Sequence, residues 1–63
     1  MKKNHDIVTL RLQFKHETES AILVSDGDDD FWLPESQIHW DEDGPGMCVV
    51  QLPEWLAQEK GLI

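Results

Sequence analysis

The chain is 63 residues long and carries a formal net charge of −8 at pH 7, with thirteen Asp and Glu against five Lys and Arg. A chain of this length buries only about 60% of the surface its unfolded form exposes, so residues 1–63 are read as one small domain with one modest core. The acid excess disfavours nucleic acid and membrane surfaces as partners and favours basic protein. The single cysteine, Cys48, excludes an internal disulfide and points to a reducing, cytoplasmic setting.

Met1-Lys2-Lys3-Asn4-His5-Asp6 begins with the charge of a targeting segment, but Thr9, Arg11 and Gln13 interrupt the apolar residues after it, so no apolar targeting core or membrane span is expected. Val8, Leu10, Leu12 and Phe14 alternate with Ile7, Thr9, Arg11 and Gln13, the period-two signature of a half-buried strand over residues 7–14. A polar turn at Glu17-Thr18-Glu19 leads to a second strand, Ala21-Ile22-Leu23-Val24, which Asp26-Gly27 ends with a strong hairpin signal. Phe31-Trp32-Leu33 forms a third strand, closed by Pro34. Glu35-Ser36-Gln37 reads as a tight or 3₁₀ turn, and Ile38-His39-Trp40 restarts extended structure. Asp41-Glu42-Asp43-Gly44-Pro45-Gly46 reads as a loop, Met47 to Leu52 as the last strand. Pro53 suits the first turn of a helix that Gly61 ends in the left-handed conformation, with Leu62 folding back. The predicted fold is mainly β: a small five-stranded, SH3-like curled sheet or barrel with a short C-terminal helix at one end.

Leu33-Pro34-Glu35-Ser36-Gln37-Ile38 resembles the Pro-x-x-x-aliphatic 3₁₀ turn of SH3 domains, which implies that Leu33 and Ile38 point inward. The turn falls mid-chain, Gln37 stands where SH3 domains place a groove tyrosine, and the chain has no tyrosine, so polyproline binding is not carried over. The pattern Ser20-Ala21-Ile22-Leu23-Val24, Phe31-Trp32-Leu33-Pro34-Glu35-Ser36-Gln37-Ile38 and Pro53-Glu54-Trp55-Leu56-Ala57-Gln58-Glu59-Lys60-Gly61-Leu62-Ile63 is similar to small proteins of phages and other mobile elements. That resemblance implies a genetic context but no ligand or catalytic residue. Very short, very acidic phage proteins often inhibit host nucleic-acid machinery, including CRISPR and restriction systems, which supplies an analogy.

Twelve of the thirteen carboxylates fall between Glu17 and Glu59, a stretch without Lys or Arg, and they cluster at Asp26, Asp28, Asp29, Asp30, Glu35, Asp41, Glu42 and Asp43. Solubility alone accounts for net charge and for charged turns beside sheet edges. It does not account for one sign over so long a stretch. Carboxylates on two nearby turns, Asp26 to Asp30 and Asp41 to Asp43, are therefore expected to imitate a row of phosphates and engage a basic groove on another protein.

Asp26-Gly27-Asp28-Asp29-Asp30 opens like an EF-hand loop, but the sixth position is Phe31 where glycine is required and the twelfth is Gln37 where a bidentate glutamate is required. His5, His16, His39 and Cys48 are dispersed without ligand-pair spacing, so neither metal nor any other cofactor is expected. His39 near Ser36 imitates part of a nucleophilic triad, yet so small a sheet offers no deep cleft, and a non-catalytic protein is the expectation. Among the tryptophans, Trp40 shares parity with Ile38 and is expected in the core, and Trp55 is expected to anchor the helix. Trp32 is expected to face outward among the acids as an interface anchor. The alternative function is a nucleic-acid accessory barrel that uses Trp32 as a stacking platform, although the required positive groove is lacking beyond residues 2–15. Exposed strand edges also permit a symmetric homodimer.

Overall fold

The computed structural model describes residues 6–63 and shows five antiparallel strands in one sheet, followed by a single short helix. Lys2, Lys3 and the candidate ligand His5 lie outside the described residues. The chain is mainly β, as its alternation predicts. In chain order the strands are β1 (Ile7–Glu17), β2 (Ala21–Ser25), β3 (Asp30–Pro34), β4 (His39–Glu42) and β5 (Met47–Pro53), with a 3₁₀ turn at Glu35–Gln37 and helix α1 at Glu54–Glu59. Their order across the sheet is β3-β2-β1-β5-β4.

β1 organises the sheet because each half pairs with a different hairpin. Its first half, Ile7 to Gln13, pairs with β5, and its second half, Gln13 to Glu17, pairs with β2. Between Phe14 and His16 the register with β2 shifts, the mark of a β-bulge, so the strand runs three residues beyond the predicted Phe14. A bulge bends its strand and increases the local twist, which suits a sheet that must curl around its own side chains. Phe14 on β1 and Trp40 on β4 lie two strands apart, yet their rings stack with centroids 5.1 Å apart. That contact closes part of the concave side.

Leu12, Ile22, Val24, Leu33, Ile38, Cys48, Val50, Leu52, Leu56 and Ala57 form the buried core, with Val8, Leu10, Phe14, Phe31, Trp40 and Leu62 packed against it. Leu33 is fully buried and Ile38 is 7% exposed, the inward placement implied by the SH3-like turn. Trp40 is half-buried on the core side, stacked on Phe14.

Two expectations are corrected. Asp41 and Glu42 belong to strand β4, where they pair with Val49 and Cys48, and only Asp43 to Gly46 turns. An edge strand tolerates charged side chains because one side of it remains solvated, so local loop propensity yields to pairing with β5. Trp55 does not anchor the helix: it is 45% exposed, whereas Leu56 and Ala57 are buried. Adjacent helical residues are separated by about 100° around the axis, so the turn that seats Leu56 and Ala57 on the sheet swings Trp55 outward. The helix ends as its sequence predicts. Gly61 has φ +78°, its N–H donates to the Gln58 carbonyl at 3.1 Å, and the Leu62 N–H donates to the Ala57 carbonyl at 2.8 Å, which together make a Schellman cap.

Candidate functional site

The acidic β2–β3 turn is built by its own carboxylate. Asp26 Oδ1 accepts hydrogen bonds from the backbone N–H groups of Asp28 and Asp29, each at 2.9 Å, while the buried Ser25 accepts from Gly27 N–H at 3.0 Å through Oγ. Gly27 has φ +104°, a conformation that L side chains rarely adopt. Donation from Asp29 and then Asp28 holds the Asp26 carboxyl below the ordinary aspartate range, the normal effect of hydrogen bonds to the charged form. Asp26 thus supports the turn, and Asp28, Asp29 and Asp30 are the carboxylates it displays to solvent.

The second acidic turn is not near the first, contrary to the expectation of two nearby turns. Gln13 of β1 stands level with both Ser25 and Met47, so the β2–β3 and β4–β5 turns leave from opposite sides of β1 and run in opposite directions along it. β2 and β5 are two strand spacings apart, about 10 Å along the sheet, and the turns diverge from that closest approach. Within the second group, Asp43 is engaged by Arg11, whose Nε donates to Oδ2 at 2.6 Å, with both side chains exposed. Asp41 and Glu42 remain as solvent-facing acids on β4.

Glu35 belongs to neither group. Its N–H donates to the Ser20 carbonyl at 2.9 Å, fastening the 3₁₀ turn to the β1–β2 connection at the far end of β3 from Asp30. Its Oε2 is enclosed, and no hydrogen-bond partner among the described residues reaches it. Protonation of Glu35 lets it hydrogen-bond to the neighbouring Glu17 carboxylate, and this gain, then burial, then the like charge of Glu17 push Glu35 above the ordinary glutamate value of 4.5. Nothing local in the sequence marks Glu17 as a site residue, because only the register that places it opposite Ile22 brings it to this end of the sheet.

This pair gives a stability prediction with a definite sign. An acid that holds its proton more tightly folded than unfolded imposes no cost below its unfolded value and its full cost above its folded value. Glu35→Gln should therefore raise the melting temperature at pH 7, and the gain should shrink as pH falls toward 4.5. Thermal melts of both proteins across that interval test it; a gain independent of pH would show that the carboxyl pair is not its source.

Trp32 is 46% exposed on β3, opposite Leu23, and makes an edge contact with His16 at a centroid distance of 6.4 Å. His16 pairs with Leu23 after the bulge, so His16, Leu23 and Trp32 form a row across three strands on the sheet's outer face. Ala21 and Pro34 form the next row. The result is a small apolar and aromatic surface beside Asp28, Asp29 and Asp30. The structure brings these four predicted residues together and separates them from Glu35 and from the Asp41 to Asp43 group.

Among the described residues there is no enclosed cavity, and no cluster of three or more His, Cys, Asp or Glu side chains positioned to hold a metal ion. Cys48 is buried, and desolvation raises its thiol pKa, as expected of an apolar setting. No helix among the described residues is long and apolar enough to cross a membrane. Compared with protein-family models, with curated proteins and with solved structures, the chain matches none.

Proposed function

We propose that this protein is a non-catalytic interaction module whose Trp32 surface, flanked by Asp28, Asp29 and Asp30, binds a basic protein. The observation that carries the reading is the coincidence of a half-exposed tryptophan with three solvent-facing carboxylates at one edge of the sheet. Tryptophan is the residue type most enriched among interface hot spots, and surrounding acids speed the approach of a basic partner and select against acidic ones. Asp41 and Glu42, on the opposite edge, extend the same field over the molecule. Where the partner's basic surface is its nucleic-acid groove, occupation by these carboxylates excludes the nucleic acid, which is the inhibitory action proposed for a phage- or mobile-element-borne protein. The setting proposed is the cytoplasm.

Salt dependence tests this directly. The Debye length falls from about 10 Å at 0.1 M to about 3 Å at 1 M, so a partner captured from lysate and then purified should lose affinity steeply over that range. Duplex and single-stranded DNA should not bind at either concentration. A purified partner with the same affinity throughout would remove the electrostatic reading, and tight DNA binding would replace it with the stacking-platform alternative.

A further inference from the structure

The free edge of β3 is a chemically defined surface. In an antiparallel ladder, pairs that exchange backbone hydrogen bonds alternate with pairs that do not. Asp26 N–H donates to the Asp29 carbonyl at 3.2 Å and Glu35 N–H to the Ser20 carbonyl at 2.9 Å, fixing the bonded pairs at both ends of the β2–β3 ladder. With Val24 opposite Phe31 and Ile22 opposite Leu33, the alternation assigns the backbone of Phe31 and Leu33 to β2. Asp30, Trp32 and Pro34 then direct their backbone groups away from the sheet. The open edge presents the N–H groups of Asp30 and Trp32 and three carbonyls, and Pro34 ends its donor row, as prolines on edge strands do.

The opposite edge offers a poorer seat. Asp43 N–H donates to the Met47 carbonyl at 2.9 Å, so the same alternation leaves Trp40 and Glu42 with outward backbone groups. A strand added there would direct its bonded side chains toward the concave face, on which Trp40 already packs against the core. At β3 the open positions have side chains on the outer face, where Trp32 and Asp30 are exposed. A second copy of this chain is a poor occupant, because antiparallel self-pairing centred on Trp32 sets Asp30 opposite Pro34, which has no N–H to complete the bonded pair.

We infer that β3 accepts an extended basic segment of another protein as a sixth, antiparallel strand, with one arginine facing Trp32 and a second, two residues later, facing Asp30. The inference rests on the proposed acidic, Trp32-centred surface and specifies how that surface is used. Backbone bonds to Asp30 and Trp32 supply the pairing, and the alternate outer-face positions supply selectivity. The first guanidinium stacks on the exposed indole, and the second pairs with Asp30 within the field of Asp28 and Asp29.

The test uses an acetylated nine-residue peptide with arginine at its fourth and sixth positions and valine at its third, fifth and seventh. Fluorescence anisotropy should show binding that weakens about tenfold or more when both arginine amides are N-methylated, since those amides face β3 in the bonded register. N-methylation of the valine amides, which point away, should change affinity less than about twofold. Amide exchange supplies an independent readout: in the free protein Asp30 and Trp32 should exchange quickly while Phe31 and Leu33 are protected, and saturating peptide should slow the first pair. Binding that is equally insensitive to both methylation patterns but weakens with salt would overturn strand addition and leave the acidic-surface reading standing. No binding by the unmodified peptide, or protection of Asp30 and Trp32 in the free protein, would overturn the inference outright.

Discussion

Leu33→Ala should leave the protein largely unfolded at room temperature. Leu33 is fully buried on β3, opposite the equally buried Ile22, within a core of ten of the described residues. Truncating a buried leucine to alanine costs about 2 to 5 kcal/mol through lost transfer energy and the remaining cavity, and domains this small have little more than about 5 kcal/mol to lose. The open sheet adds to the sensitivity, because β3 is held by β2 on one side only and its inward side chain does much of the work of keeping it there. Trp55→Ala provides the contrast. A larger side chain is removed, but from a position 45% exposed beside the buried Leu56 and Ala57, so the melt should move by no more than a few degrees. Circular dichroism melts decide between size and burial: equal losses in the two variants would mean that Trp55 packs on the sheet after all.

The same contrast shows which features were legible in the sequence. Period-two alternation placed Val8, Leu10, Leu12 and Phe14 on the inner face, and Asp26-Gly27, Gly61 and the Leu33 to Ile38 segment marked their turns through local chemistry that tertiary contacts did not override. Trp55 and the Asp41-Glu42 pair resisted local reading for different reasons. The first depends on the rotation of a helix about its axis once Leu56 and Ala57 have docked, and the second on how far pairing with β5 extends. Long-range register was the least accessible information. The eight clustered acidic positions do not share one face: Asp26 is a hydrogen-bond acceptor for its own loop, Asp43 is engaged by Arg11, and Glu35, with its Oε2 enclosed, lies beside Glu17 at the far end of β3. Parity places Trp32 outward, and it is exposed because its neighbours Phe31 and Leu33 pair with the buried Val24 and Ile22. Its row with His16 and Leu23 is not legible locally, since a bulge in β1 sets it.

Charge reversal at the β2–β3 turn should have a large effect on how fast the partner associates. Replacing Asp28 and Asp29 with lysine together changes the local charge by four units without removing the Asp26 carboxylate, which takes its hydrogen bonds from the backbone N–H groups at those positions and so does not need their side chains. The turn should therefore survive, and the melting temperature should stay within a few degrees of the parent. Association with a basic partner should slow by about tenfold or more at low salt, because steering by clustered charge acts mainly on the encounter rate. Trp32→Ala should behave differently. Loss of a central aromatic acts after encounter, so dissociation should quicken and binding should weaken by about 2 kcal/mol or more. The same pair of reversals at Asp41 and Glu42, on the far edge of the sheet, measures the contribution of the overall field. If that second variant slows association as much as the first, the partner responds to net charge and the Trp32 edge is not its docking site. If the first variant binds as fast as the parent, the carboxylates beside Trp32 serve solubility alone.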